Sequence, residues 1–198
     1  VIVLNNQLLR YGGDMEIATF GMTNRFIFFF VMIVMGIQQG MQPIVGYNYG
    51  AQLYTRMIRA FKLAVYCATC VMSFLFLFGE IWPEGFIRLF THDQQLIAQS
   101  ITPARIMLAV MFAIGFPMIT GNFYTSIGMA SKAIFLSLTR QVLFLIPLII
   151  GLPLLFESLG IAPIWGVWWS WPISDSLSVI IAMIVFNRDM KKFKFLNN

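Results

Sequence analysis

One acidic residue, Asp175, stands in the middle of a long apolar run at 163–186. At 1.5 Å per helical residue it lies roughly 15–18 Å from either end of that run. An acid at such depth in a lipid-spanning helix costs about 2.5–3.5 kcal/mol on insertion scales, so it is expected to face other protein rather than lipid. Ser170, Ser174, Ser178 and Ala182 recur every fourth residue beside it and form a small-residue ridge. Pro172 cannot return an N–H to the carbonyl of Trp168, which leaves polar backbone close by. Two chemistries fit this carboxyl. It could take up and release a proton, or it could hydrogen-bond a neighbouring helix or the freed backbone.

The remaining polar groups inside apolar runs are amides and hydroxyls. Gln38 and Gln42 share one helical face, as do Asn122 and Ser126, with Tyr124 and Thr125 between the latter pair. In lipid such groups either bond between helices or line a wet path, and both readings stand for Gln38, Gln42, Asn122 and Tyr124. Cys67 and Cys70 form a C-x-x-C pair, but inside the apolar stretch 65–78 they read as two small apolar residues. His92 has no cysteine or second histidine near it in sequence, so no metal site is expected. A nucleophile paired with a base at membrane depth is missing from the pattern, and an enzyme is not expected.

These groups are few because the chain is built for another solvent than water. Of 198 residues, 59% are hydrophobic and 11% charged, and the mean hydropathy is +0.81. A soluble domain keeps about a quarter of its residues charged. The net charge of +5 sits in short clusters between apolar runs rather than on one polar face, so nucleic acid is not an expected partner and a lipid bilayer is.

Five runs have the about 20 apolar residues that a membrane-crossing helix needs: 26–45, 60–79, 106–127, 133–156 and 163–186. Residues 1–9 read as the tail of a further segment, so the chain is expected to start partway through a helix. The fold class is an all-α polytopic bundle. Strands are excluded by length and by the lack of strict alternation. Alternating the runs across a membrane puts Arg56, Arg59, Lys62, Lys132, Arg140, Arg188, Lys191, Lys192 and Lys194 on one side, and Arg10, Arg25, Arg88 and Arg105 on the other. Nine against four assigns the first side, with the basic tail at 187–198, to the cytoplasm. The longest link, 80–102, carries an amphipathic stretch at 86–90, expected at the outer interface, and Asp93 as a helix N-cap. Trp165, Trp168, Trp169 and Trp171 cluster where an outer aromatic belt belongs.

The first run ends in a glycine-rich segment, Gly36-Ile-Gln-Gln-Gly40-Met-Gln-Pro43-Ile-Val-Gly46-Tyr-Asn48-Tyr-Gly50-Ala51. Gly36 and Gly40, and again Gly46 and Gly50, have the small-xxx-small spacing that lets helix backbones approach closely in lipid. Pro43 is expected to break the helix, and the Gly46–Gly50 run reads as a turn.

This segment, followed by Arg56 and Arg59, resembles the signature of the multidrug and toxic compound extrusion (MATE) family. Further matches follow in order: Tyr11-Gly-Gly-Asp14, Leu89-Phe90-Thr91 with Asp93, Arg105-Ile106-Met107, Arg140-Gln141 and Trp171-Pro-Ile-Ser-Asp175. The resemblance covers essentially the whole chain. It implies one six-helix lobe of a twelve-helix, two-lobe transporter, the C-terminal one, with its first helix truncated and the N-terminal lobe as a missing partner. It further implies export of cationic or amphipathic drugs or metabolites in exchange for protons or sodium, in the bacterial plasma membrane, with no cofactor beyond the coupling ion. Some branches of the family carry an acidic cation ligand in the helix that corresponds to 106–127, where this chain has no acid. The alternative is a lipid-linked oligosaccharide flippase or polysaccharide exporter of similar design. That function calls for several cations facing the cavity, and the apolar runs hold almost none.

Overall fold

With water excluded from lipid, every backbone N–H and C=O must be satisfied inside its own segment, and helix is the local solution. The computed structural model describes residues 2–195, with side chains described through residue 190; Val1, residues 196–198 and the side chains of Lys191, Lys192 and Lys194 lie outside the described residues. Every regular element among the described residues is helical. They are α1 (Ile2–Gly12), α2 (Asp14–Gly50), α3 (Tyr54–Ile81), α4 (Pro83–Arg88), α5 (Gln94–Leu108), α6 (Met111–Ser126), α7 (Ala130–Leu138), α8 (Ile146–Ser158) and α9 (Pro163–Phe195). A π-helical stretch, Thr139–Leu145, joins α7 to α8 without a break.

Four helical segments are long and apolar enough to cross a membrane: α2, α3, the continuous unit Ala130–Ser158, and α9 from Pro163 to Met190. Helices α5 and α6 reach the same length and apolarity only as a pair, bent by 46° at residues 109–110, which has the form of a broken span or a re-entrant loop. The run at 106–127 therefore straddles a bend rather than filling one straight span. The outer surface is apolar, with Phe28, Phe29, Leu63, Phe74, Leu143 and Ile184 all exposed. The interior holds the hydroxyls: Thr19 and Ser100 bond each other at 2.7 Å, and Ser170, Ser174 and Ser178 are buried. This inside-out distribution is what lipid as solvent demands.

The core gathers around α3, α6 and α9, where the Phe61 ring lies 4.9 Å from Phe123 and 4.4 Å from Phe186. Glycine permits close backbone approach at particular places. A Cβ on Gly115 would stand 3.0 Å from the Ala68 carbonyl carbon, binding α6 to α3. One on Gly166 would stand 2.6 Å from the Pro153 nitrogen, binding α9 to α8. One on Gly46 would stand 3.2 Å from the Ser126 carbonyl oxygen.

The structure corrects several sequence expectations. Gly36, Gly40 and Gly50 have nothing within 4 Å of a built Cβ, so within this chain only Gly46 of the signature glycines meets a neighbouring backbone. Pro43 does not break α2, which continues to Gly50, and the turn falls at residues 51–53 with Gln52 at φ 59°. One missing N–H is cheaper in lipid than unwinding a helix whose other bonds would go unmet. Asn48 donates from Nδ2 to the Ile44 carbonyl at 2.8 Å, within that helix. The amphipathic stretch packs one face on the bundle, with Phe86 and Ile87 fully buried and Phe86 stacked on Phe26 at 4.5 Å, and leaves Leu89 and Phe90 exposed. Trp168 is not a belt residue either: it is buried and donates from Nε1 to Glu16 at 3.0 Å. Asp93 does cap α5, accepting from the Gln95 N–H at 2.9 Å.

The two ends of the bundle follow from contacts. Glu16 with Trp168, and Arg105 with the Glu80 carbonyl at 3.0 Å, mark one end. Gly46 against Ser126, and Lys132 paired with Asp189, mark the other.

Candidate functional site

The candidate site begins with the π-helical stretch. Pro147 lacks the N–H that an α-helical turn would return to Leu143, and the chain just before it is wound in the wider π form. Such turns re-aim side chains and are frequent at functional sites. This one carries Arg140, whose Nε donates to Oδ1 of Asp175 at 2.7 Å. Ser174, one residue before Asp175, donates to the Arg140 carbonyl at 3.0 Å. Side chain and backbone of the same turn are thus both held by α9.

Asp175 is 1% exposed, as the serine ridge on its helix predicts, and its second oxygen, Oδ2, is buried with no hydrogen-bond partner. The sequence names no partner for this acid, and the structure supplies a cation. Alternation of the runs counts Arg140 among the flanking basic residues of the cytoplasmic side. It belongs inside the bundle, which leaves eight flanking cations against four. One signal points there: Arg140 sits eight residues into the run 133–156, too deep for a flanking charge.

Arg140 also forms one wall of a cavity of about 330 Å³ between α2, α6, α7 and α9. Its polar lining is Gln38, Asn122, Thr125, Ser137, Arg140, Gln141 and Ser178, and its apolar lining includes Ile114, Pro117, Met118 and Leu136. The Asn122 amide oxygen is buried there without a partner. Gln38 and Asn122 are therefore brought together at one cavity, and Asp175 stands behind Arg140. Gln42 is exposed on α2 and is not among the lining residues. Tyr124 belongs to a different cluster: its hydroxyl donates to Oδ2 of Asp189 at 2.8 Å, and Lys132 pairs with the same oxygen. That cluster ties the C-terminal part of α9 to the turn between α6 and α7. Pro43 and Gly50 are exposed, and Asn48 is half-buried.

A small concave site with a few convergent polar groups on an apolar wall is the usual form of a small-molecule site. One charge pair near the midplane of a bundle of discontinuous helices is the form found in membrane transporters. The arrangement is that of a polytopic helix bundle with a polar cavity beside an ion pair.

The sequence belongs to the MATE family: the family model MatE matches residues 2–150. The multidrug export protein MepA of Staphylococcus aureus (strain NCTC 8325 / PS 47) is 26% identical over 188 residues, which is 93% of this chain and 39% of MepA. The MATE multidrug transporter DinF-BH, solved in complex with rhodamine 6G, superposes with a TM-score of 0.79 at 40% identity, covering 94% of this chain and 40% of that one. A second MATE structure, in complex with MaL6, superposes with a TM-score of 0.85 at 18% identity, covering 98% of this chain and 43% of that one. The chain thus spans about two fifths of the length of the relatives it matches. The family consists of transporters, not enzymes.

Proposed function

We propose that this chain forms the C-terminal lobe of a multidrug exporter that works with an N-terminal lobe around a shared path. On this reading it passes cationic or amphipathic compounds outward in exchange for protons or sodium. The end of the bundle bearing Lys132 and Asp189 faces the cytoplasm. The observation that carries the reading is the ion pair of half-buried Arg140 with buried Asp175, beside a cavity lined by Gln38, Asn122 and Gln141. A charge pair at membrane depth is expensive unless it is used. Asp175 has a free oxygen, Oδ2, that can carry a proton without first breaking the bond through Oδ1. Protonation would neutralise one half of the pair and loosen the hold of α9 on the π-helical turn, the element that carries the cavity wall. Exchange of this kind needs two lobes moving about a site near the midplane.

The flippase alternative is not favoured. A pyrophosphate group calls for several cations, and Arg140 is the one cation among the residues lining this cavity. The test is efflux of rhodamine 6G from a drug-sensitive host carrying the chain together with a matching N-terminal half. Asp175→Asn should reach the membrane folded and lose proton-driven export. Normal efflux with unchanged pH dependence from Asp175→Asn would remove Asp175 from the coupling step.

A further inference from the structure

The end of the bundle that carries Lys132 and Asp189 holds more cations than its acids can pair. Of the chain's eight acids, Asp189 is the one at this end. Asp175 lies at midspan, and the others lie toward the end marked by Glu16 and Glu80. Asp189 is buried and already held by Tyr124 and Lys132. Arg56, Arg59 and Lys62, in the first turns of α3, are exposed, and none of the ion pairs among the described residues includes them. The positive-inside rule accounts for the side of the membrane on which they lie, but not for the helix face that carries them. Met57, Phe61, Ala64, Ala68, Met72 and Leu75 form the buried face of α3. The three cations lie on the opposite face. At helical period that face continues as Leu63, Tyr66, Phe74 and Leu77, all exposed. One face of one helix thus runs from cations, past a phenol, to bare hydrocarbon. Half of a roughly 30 Å hydrocarbon core is about 15 Å, or about ten helical residues, and the stretch from Leu63 to Phe74 covers that depth.

From this order we infer that the exposed face of α3 binds an anionic phospholipid, with the headgroup phosphate on Arg59 and Lys62, Arg56 at the rim, and an acyl chain against Leu63, Tyr66 and Phe74. The inference stands apart from the substrate path and does not depend on it. A guanidinium matches a phosphate as a planar fork, and an ammonium adds a point charge. A zwitterionic lipid offers the same phosphate but brings its own ammonium against three cations. A soluble anion can use the cations but leaves the apolar row uncovered. An anionic phospholipid satisfies both parts of the face in the order in which α3 presents them.

The test is native mass spectrometry of the detergent-solubilised protein titrated with equal amounts of dioleoyl-phosphatidylglycerol and dioleoyl-phosphatidylcholine. The two lipids share their acyl chains and differ in headgroup charge. The wild-type protein should bind its first phosphatidylglycerol about fivefold or more tighter than its first phosphatidylcholine, the factor for one cation engaged by an anionic headgroup. Arg59→Gln/Lys62→Gln should bring that ratio close to one. The exchange Arg59→Lys/Lys62→Arg, which keeps both charges, should retain the preference. Equal affinity for the two lipids in the wild type would overturn the inference without any variant having to fold. A preference that survives Arg59→Gln/Lys62→Gln would place the anionic lipid elsewhere and overturn it as well. Loss of the preference in millimolar inorganic phosphate would make this a site for soluble anions rather than lipid. The preference should persist when the matching N-terminal half is bound, and its loss there would give this face to that lobe instead.

Discussion

Replacing Gly166 with alanine adds one methyl group where two helices cross with no side chain between them. Its carbon would stand 2.6 Å from the Pro153 nitrogen, 2.7 Å from the Leu152 carbonyl carbon and 2.8 Å from the Leu152 oxygen. Ordinary contact begins at 3.4 Å, so the nearest approach is 0.8 Å short. All three atoms are backbone of α8 and cannot rotate away, so α8 and α9 must separate. Overpacking of this kind costs about 1–3 kcal/mol, and rigid backbone neighbours place it toward the upper end. Exchanging a helical glycine for alanine returns up to about 1 kcal/mol of propensity. The net loss is about 1–2 kcal/mol, which for a chain of this size lowers the melting temperature by about 2–8 °C. The reference is Gly36→Ala, where nothing lies within 4 Å and only the propensity gain operates. Fluorescence-detected size-exclusion chromatography of heated detergent extracts reads both variants in one series. Gly166→Ala should melt below wild type and Gly36→Ala at or above it. Equal melting of the two would mean that α8 and α9 do not approach by backbone contact at Gly166.

Two other expectations concern the charge pair and the orientation. Arg140→Leu strands the buried Asp175 carboxylate, and breaking a buried pair from one side costs about 3–5 kcal/mol. Folded yield should collapse in Arg140→Leu and recover in Arg140→Leu/Asp175→Asn; equal yield from the two would show the pair to be energetically idle. For orientation, Cys67 and Cys70 are replaced by alanine, and single cysteines are placed at positions 56, 92 and 132. An impermeant thiol reagent added to intact cells should modify position 92 alone, and modification at 132 but not at 92 would invert the bundle.

The spans are legible in the sequence because their cause is local. Crossing lipid demands an unbroken apolar run, and each run is a property of consecutive residues. The inward face of α9 is legible for the same reason: Ser170, Ser174, Ser178 and Ala182 repeat at the helical period and are all buried. Packing partners are not legible. Gly36 and Gly166 are both helical glycines in apolar surroundings, and nothing in their neighbours in sequence says that one faces open space and the other the backbone of α8. The Gly36–Gly40 spacing suggests a close contact that this chain does not make. The clearance around a glycine depends on which helix lies opposite, and tertiary topology decides that.

The same physics explains why half of the site escapes a reading of the sequence. Asp175 stands out because a lone acid in an apolar run is expensive, and that expense is visible in one dimension. Its partner lies 35 residues earlier, and a count of basic residues by side of the membrane takes it for a flanking one although it stands eight residues into its run. Two local facts are needed to place it. Pro147 denies the preceding turn an N–H, and Thr139–Leu145 answers by winding as a π-helix. A π-helical turn re-aims the side chains after it relative to an ideal α-helix, so α-helical periodicity carried across 139–145 misplaces the residues beyond it. Here the residue on that turn is the one that meets Asp175, lines the cavity and lends its carbonyl to Ser174. In an apolar run, then, a lone charge is a reason to look for a counter-charge on the neighbouring helix.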